Sequence, residues 1–326
     1  MYTESDSVCS VRDLDGVENL MFFTKKRAQA TLQVGVGFHS DGLSLVSINQ
    51  VAGQHRLENC NFYTTGTDAE VELSHAVKAQ GLRGAPVVAV LPPNSYSLFQ
   101  VETPEVEHEE LKSAIRWRIK DLLDYHIDDA VLDIFDLPVS QRRSGPRMMY
   151  VVVVKRSLIQ QYVDKLESLG LEIVAIDITE LALRNVLAAT GGAEGFQALL
   201  YLPPRYGLIE IVQGDTLYLN RRIEISGSDL EEQGGFGLQE QLDSLVLELQ
   251  RSLDYHESQF GLGAVPTISV IAPESRKHQL QALADESLAA KVRLFDLTGF
   301  LDGLDTVDPA VLYRCLPAVG AALRSD

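Results

Sequence analysis

Residues that could do chemistry stand together just after the first predicted strand. His39, Ser40 and Asp41 are the three residue types of a hydrolytic triad. A triad is assembled from distant segments, because its side chains must converge on one reacting atom. Three consecutive residues do not converge in this way. The sequence therefore favours a turn at this point over a nucleophile with its base.

Other motifs with chemical meaning are incomplete. Gly35 and Gly37 are followed next by Gly42, and this spacing misses the dinucleotide-binding fingerprint. The sequence holds no HExxH, G-x-S-x-G or GxxxxGK[ST] motif. A run of near-neighbour carboxylates is interpreted as a solvated acidic loop, since residues one apart do not share a site without special turns. These carboxylates are Asp128, Asp129 and Asp133. We therefore predict no catalytic residue and no metal site.

The charge of the chain disfavours several classes of function. Its 326 residues carry 28 Lys plus Arg against 46 Asp plus Glu, which gives a net charge of −18. Nucleic acids and anionic lipids are bound by clustered cations, so this balance disfavours general binding to either. Cys9, Cys60 and Cys315 lie far apart and form no CxxC pair. They indicate reduced thiols in a cytoplasmic protein, without a disulfide framework or a zinc site.

One short basic stretch stands out near the N-terminus. Two aromatic residues at 22–23 precede Lys25, Lys26 and Arg27. This stretch is either a contact with the surface of an acidic membrane or part of a frayed, solvated tail. No segment of the chain reaches the ~18 uninterrupted apolar residues that a membrane-spanning helix needs.

The hydrophobic pattern predicts two α/β halves built on one plan. Each half opens with hairpin strands and continues with alternating helices and strands. Predicted strands of the first half include 32–38, 43–50, 57–64, 86–91 and 171–176. Those of the second half are 198–202, 207–213, 216–225, 267–271 and 292–296.

A strongly charged segment interrupts the first half. It contains a predicted helix from about Glu107 to Asp124, with an apolar stripe at i, i+3, i+4 spacing. Trp117 falls off this stripe, so it either packs against a neighbouring element or is an exposed anchor for a partner. A second long helix is predicted at 238–260. His256 lies on its apolar stripe and is interpreted as a core-edge histidine, not a ligand.

Several stretches, taken in order, carry a family resemblance. Ala114-Ile115-Arg116-Trp117 is followed by the acidic segment 128–133, and Glu248 to Tyr255 stands in the long second-half helix. In this order they resemble the PilM-like type IV pilus-assembly proteins of the actin-like ATPase superfamily. The resemblance covers about residues 21–326. It implies an α/β, actin-like ATPase (ribonuclease H-like) fold with two halves, an FtsA/PilM-type extra subdomain and a shortened second-half insert.

The resemblance also implies how the chain is divided. The expected parts are a flexible tail at 1–27, a first actin-like subdomain at 28–99 and 150–195, an inserted PilM-type subdomain at 100–149, and a second actin-like domain at 196–326.

The nucleotide site that the resemblance implies is altered at three points. The family's first phosphate loop has Asp, Gly and Lys where this chain has Gly37, His39 and Ser44. In the family the acid organises Mg²⁺, the glycine lets backbone amides approach the phosphates, and the lysine supplies charge. The second phosphate loop and the adenosine site are altered as well. The residues at those positions are Tyr201, Pro203, Ala272 and Pro273.

These losses resemble the degenerate MshI branch, which serves MSHA pilus biogenesis, and they imply a pseudo-ATPase without a cofactor. The implied role is a cytoplasmic adaptor, peripheral at the inner membrane, that binds no nucleic acid. It would bind the cytoplasmic tail of a bitopic, PilN-like protein beside other pilus platform subunits. The expected groove residues are Val101, Leu111, Ile115 and Trp117.

Two alternatives stay open. One is an active actin-like ATPase of pilus biogenesis that binds ATP and Mg²⁺, with Asp41 or Asp177 near the metal. The other is the cytoplasmic part of a type II secretion platform.

Overall fold

The computed structural model describes residues 32–51, 53–66, 69–138, 146–191 and 195–324. Within these ranges the chain forms fourteen strands and eight α-helices. The strands are β1 (Leu32–His39), β2 (Gly42–Val51), β3 (Gln54–Thr64), β4 (Pro86–Leu91), β5 (Tyr96–Glu102), β6 (Ala130–Asp136), β7 (Met148–Lys155), β8 (Glu172–Ile178), β9 (Gln197–Tyr201), β10 (Gly207–Gln213), β11 (Thr216–Ile223), β12 (Thr267–Ile271), β13 (Lys291–Leu294) and β14 (Leu301–Asp302). The helices are α1 (Ala69–Ala79), α2 (His108–Ile119), α3 (Arg156–Ser168), α4 (Thr179–Gly191), α5 (Gly227–Glu232), α6 (Gly235–Phe260), α7 (Lys277–Ser287) and α8 (Pro309–Ala322).

The two halves repeat one sheet topology. The first sheet has the order β14-β3-β2-β1-β4-β8, and the second has the order β11-β10-β9-β12-β13. In each, three antiparallel strands are followed by two strands that run parallel to the first. The inner strands of both sheets are apolar along nearly their whole length, because helices cover both faces. The predicted repeat of hairpin strands, helix and strand is therefore present.

A third, smaller sheet interrupts the first half. It has the order β5-β7-β6, and all its pairs are antiparallel. The apolar stripe of α2 covers one face, so Leu111, Ile115 and Ile119 are buried against it. The sheet extends beyond the predicted insert of 100–149 on both sides, since β5 begins at Tyr96 and β7 ends at Lys155.

Polar contacts fix α2 on this small sheet. Arg116 donates hydrogen bonds to the carbonyls of Ile127 and Ala130, at 2.9 and 3.1 Å. Lys112 forms a 3.0 Å ion pair with Asp133, whose side chain is fully buried. The expectation of a solvated acidic loop is wrong for Asp133, because that carboxylate lies inside the subdomain and pairs with a helix cation. It holds for Asp128 and Asp129, which are exposed.

Helix α8 is packed tightly in the first half. A Cβ added at Gly35 of β1 would lie 1.9 Å from the carbonyl oxygen of Ala318, and one added at Gly320 would lie 1.9 Å from that of Ala182 in α4. Only glycine permits so close an approach of backbones. Helix α8 is thereby held between β1 and α4.

Helix α6 covers the second sheet with one apolar stripe. Its buried residues include Leu242, Leu245, Leu249 and Phe260, at the spacing that the sequence predicts. His256 is also fully buried, beside Phe196 and Phe260, and neither ring nitrogen has a hydrogen-bond partner. Burial lowers its pKa. It is a core residue, with no ligand-binding partner among the described residues.

Three short elements escape the sequence pattern: β5, α5 and β14. The predicted helix at 107–124 is also longer than α2, which ends at Ile119 and continues as one 3₁₀ turn, Lys120–Leu122. In the described part of the chain, no helix combines the length and the apolar character needed to cross a lipid bilayer.

Candidate functional site

A cavity of about 340 Å³ lies where the two halves meet. Its walls come from the carboxyl ends of β1, β4 and β9, from the start of α4 and from α8. Ligands of α/β proteins bind at this edge of a sheet, and the volume suits a small molecule. Of the seven altered cleft residues, His39, Tyr201 and Pro203 line the cavity.

The first altered loop is closed by its own side chains. His39 Nε2 lies 3.0 Å from Ser44 Oγ, and Ser44 Oγ donates to the carbonyl of Gly37 at 3.3 Å. Since the serine proton is used in that bond, Nε2 of His39 is the donor to Ser44. Burial and the nearby Arg314 lower the pKa of His39 to about 4, so the ring is neutral at pH 7. The loop thus brings no positive charge to the cavity.

The single carboxylate beside this loop is neutralised. Asp41, in the β1–β2 turn, forms an ion pair with Arg314 of α8. The guanidinium also lies over the ring of Phe62, with 3.4 Å to the centroid. A carboxylate paired in this way is not free to organise a metal ion and its water.

The second altered loop has its backbone groups in use. The carbonyl of Pro203 accepts from the amide of Gly227 at 2.8 Å, and the amide of Leu202 donates to Ile271 at 2.9 Å. The carbonyl of Leu202 accepts from the hydroxyl of Tyr313. Tyr201 is buried, and burial raises its pKa well above the ordinary value. The amide of Leu202 is therefore in use, and Pro203 and Pro204 have no amide hydrogen to offer an anion.

The third altered position lies outside the cavity lining. Ala272 and Pro273 are buried, and the carbonyl of Pro273 caps the next helix by accepting from the amides of Arg276 and Lys277, at 2.9 and 3.0 Å. Gly37 and Ser44 likewise lie behind His39 and not in the cavity wall.

Asp177 is no more available to a metal than Asp41. Its side chain is 2% exposed and lies 3.6 Å from the guanidinium of Arg324. One carboxylate oxygen accepts from the amide of Ile178 at 2.8 Å. Across the described residues, no group of three or more His, Cys, Asp or Glu side chains is arranged to hold a metal ion.

The four predicted groove residues do not form one surface. Leu111 and Ile115 lie in the core of the small subdomain, and Val101 packs half-buried against them. Trp117 is 72% exposed. Two residues along a helix turn by about 200°, so Trp117 and Ile115 occupy opposite sides of α2. Of the two interpretations of Trp117, the structure favours exposure.

Trp117 belongs to an exposed face of α2. The ammonium group of Lys120 lies over its ring, 4.8 Å from the centroid. Two other exposed apolar side chains flank the helix, Val106 before its first turn and Leu122 after its last. We call Trp117 and Lys120, which lie one turn apart on the same side of the helix, the α2 face. It is a candidate contact surface for another protein, because tryptophan is enriched at binding hot spots.

A buried polar junction where the three sheets meet was not predicted from the sequence. Glu180 of α4 accepts from the hydroxyl of Tyr96 and from the amide of Asn220, the latter at 3.3 Å. Glu210 is fully buried, and among the described residues neither of its carboxylate oxygens has a hydrogen-bond partner. Burial, reinforced by Glu180, raises the pKa of Glu210 well above the ordinary value. In the sequence, the one indication of this junction is that Glu210 is an acidic residue within the apolar strand β10.

The chain was compared with known proteins. No protein-family model and no curated protein sequence matches it. A solved structure described as the "PilM-PilN type IV pilus biogenesis complex" matches with a TM-score of 0.70 and 17% identity, over 91% of this chain and 99% of that chain.

Two other matches are weaker. The cytoplasmic domain of EpsL, an inner-membrane component of the type II secretion system of Vibrio cholerae, has a TM-score of 0.49 at 13% identity, over 87% of this chain and 94% of that chain. A Bacteroides thetaiotaomicron protein with an actin-like ATPase fold and unknown function has a TM-score of 0.49 at 10% identity, over 87% and 96%. The predicted α/β, actin-like ATPase fold is confirmed.

Proposed function

We propose that this chain is a non-catalytic scaffold of a type IV, MSHA-type pilus assembly platform. It binds the cytoplasmic tail of a bitopic, PilN-like inner-membrane protein and stays peripheral to that membrane. The proposal is supported by the likeness in fold to a chain of the PilM–PilN complex, which extends over nearly the whole of both chains. The division into first subdomain, insert and second domain belongs to the same proposal.

The state of the cleft supports a role without ATP hydrolysis. At the altered phosphate loops, the groups that could meet a nucleotide are engaged in internal contacts: Asp41 with Arg314, Ser44 with His39, and Pro203 with Gly227. Hydrolysis needs a carboxylate that holds a metal and donors that hold phosphates. In this chain, these groups are used to hold the loops of the cleft together.

The observation that carries the binding role is the exposure of Trp117. Leaving a large aromatic side chain in water forgoes about 1.5–3 kcal/mol of burial free energy, so its exposure needs a reason. A partner that covers the α2 face supplies one. Leu111, Ile115 and Val101 support this face from beneath, because they fix α2 on its sheet.

Direct binding tests this role. Synthetic peptides copying the cytoplasmic tails of candidate bitopic pilus proteins are titrated into the full chain by fluorescence anisotropy. We expect one tail to bind, and Trp117→Ala to weaken it at least about tenfold, since hot-spot residues contribute 2 kcal/mol or more. Phe236→Ala is the matched control, because Phe236 is an even more exposed aromatic on the second half, at 87% against 72% for Trp117. Equal loss in both variants, or no binding of any tail, would contradict the proposal.

A basic contact with the membrane surface is part of the proposal. Lys25, Lys26 and Arg27 lie outside the described residues and supply three consecutive positive charges in a chain whose net charge is −18. Sedimentation with anionic vesicles should fall when all three are replaced by Ser. Unchanged sedimentation would remove this contact from the account.

The second candidate function is an active ATPase. The cavity itself favours it, since about 340 Å³ is room enough for a small ligand, and Asp41 lies in its wall. Steady phosphate release that is lost in Asp41→Ala would support this candidate over the scaffold.

A further inference from the structure

Two cysteines far apart in the sequence meet inside the first half. Cys60 lies on β3 and Cys315 on α8, and both are free thiols. Both side chains belong to the same buried core cluster, and the neighbouring Cys60 thiol raises the pKa of the Cys315 thiol. Cys60 is 8% exposed and Cys315 is fully buried.

The approach of the two thiols is built into regular elements. Cys60 pairs with Val46 in the middle of the β2–β3 ladder. Helix α8 packs on β1, β2 and β3, and its own position is fixed by the close contacts at Gly35 and Gly320. The thiol of Cys315 also reaches the carbonyl of Asn61, at 3.5 Å. Neither cysteine has to move with a loop for the sulfurs to meet.

We propose that Cys60 and Cys315 form a reversible redox site, in which a disulfide-type oxidant such as oxidised glutathione converts the two thiols into a disulfide that joins α8 to β3. This proposal is independent of the proposed pilus function.

The exposures of the two sulfurs set the order of the steps. Cys60 is the more accessible, so its thiolate attacks the oxidant first. The S–S bond of oxidised glutathione breaks, one reduced glutathione leaves, and Cys60 carries a mixed disulfide. Cys315 then loses its proton and attacks the Cys60 sulfur, and the second reduced glutathione leaves. Two electrons and two protons pass from the protein thiols to the oxidant.

The environment of Cys315 makes its reaction dependent on the first step. The neighbouring Cys60 and burial raise the pKa of the Cys315 thiol, and burial also keeps an external oxidant away from it. It attacks only a sulfur that is already in contact with it. We therefore expect slow oxidation that ends in a single internal disulfide.

The disulfide would act on the cleft through α8. Tyr313 and Arg314 precede Cys315 directly. Arg314 pairs with Asp41 in the cavity wall, and Tyr313 bonds to Leu202, which lies between two residues that line the cavity. A disulfide at Cys315, the next residue of α8, would restrain the contacts of both Tyr313 and Arg314. Oxidation therefore stiffens the wall of the cleft.

Mass spectrometry tests the proposal on the full chain. Cys9, outside the described residues, is first replaced by Ser, so that only the pair remains. After incubation with oxidised glutathione, the folded protein should lose the mass of two hydrogen atoms, and peptide mapping should find Cys60 joined to Cys315. With Cys315→Ala in addition, Cys60 should carry one glutathione. With Cys60→Ala in addition, Cys315 should stay unmodified.

The opposite result is equally clear. If the folded protein keeps two free thiols while the same chain oxidises fully in urea, the pair is not a redox site. If Cys315 carries glutathione in the Cys60→Ala variant, the order of steps is wrong. A second readout guards against variants that fold poorly. The oxidised Cys9→Ser protein should melt several degrees above its reduced form, because the cross-link restrains the unfolded chain. An unchanged or lower melting temperature would show that the Cys60–Cys315 disulfide does not fit the native structure.

Discussion

At the residue scale, side chains beside the cleft contact one another. Arg314 is the central one, since its guanidinium pairs with Asp41 and covers Phe62. The sequence predicted the losses at Gly37, His39 and Ser44 but not this arginine, because its partner comes from the opposite end of the chain. Nothing in local periodicity pairs residues 41 and 314.

The contribution of Arg314 can be measured against a nearby arginine. Arg314→Ala removes a half-exposed ion pair and a cation–π contact, and together these stabilise the fold by about 1–2 kcal/mol. We expect a melting temperature lower by several degrees. Arg205→Ala is the control, because Arg205 is exposed at the same cavity and has no ion pair in the described structure. Equal melting temperatures in the two variants would show that Arg314 does not hold the wall.

A pH titration tests Glu210. Its carboxylic acid is favoured in the folded state, because burial and Glu180 raise its pKa well above 4.5. Glu180 and Arg184 of α4, Asn220 of β11 and Tyr150 of β7 are the polar groups that act on this site. The native state therefore binds more protons than the unfolded chain above about pH 4.5, and this contribution to stability is lost as pH rises towards the native pKa.

Glu210→Gln keeps the shape of the neutral acid and cannot ionise. Its melting temperature should exceed that of the unaltered protein by an amount that grows from pH 5 to pH 9. Glu224→Gln, an exposed change near the end of the same sheet, should give a difference that stays constant. A Glu210→Gln difference that shrinks with rising pH would mean that Glu210 is ionised and partnered in the native state.

At the element scale, α8 organises the first half. It fits between β1 and α4 only because glycines stand at both contacts. The same helix supplies Tyr313, Arg314 and Cys315 to the cleft and the core. Helix α8 thus packs in the first half and, through Tyr313, also contacts the second altered loop at Leu202.

Gly320→Ala tests this packing. The added methyl group would meet the carbonyl of Ala182, and relieving that overlap should cost about 1–3 kcal/mol. We expect a melting temperature lower by several degrees. Gly66→Ala is the matched control, since nothing lies within 4 Å of a Cβ at that exposed position. If both glycines tolerate alanine equally, α8 is not held as tightly as described.

Elements were predictable from the sequence where the pattern is long and regular. Strand β4 and helix α6 follow buried-strand and 3.6-residue patterns, and they begin and end close to the predicted residues. Strand β5 was missed because its side chains are mostly half-buried, so no clear alternation marks it. Helix α5 has six residues, too few for a periodic signal, and its capping box at Ser226 and Asp229 was the only cue.

At the scale of the whole molecule, three sheets share one junction. Asn220 of the second sheet bonds to Glu180, Tyr96 of the small sheet bonds to the same carboxylate, and Arg222 reaches the carbonyl of Pro93 at 3.0 Å. These contacts connect parts of the chain that were predicted as separate subdomains. The duplicated fold was predictable from the order of strands and helices, whereas this junction depends on how the units are docked.

A thermal melt with millimolar Mg²⁺–ATP distinguishes the proposed scaffold, which functions without ATP, from an active ATPase. A nucleotide present at about one hundred times its Kd would stabilise the folded chain by about 2.7 kcal/mol. This raises the melting temperature by several degrees. We expect no shift, because Asp41, Ser44 and Pro203 are engaged with other residues of the chain. A rise of several degrees that requires both Mg²⁺ and ATP would contradict the proposed scaffold.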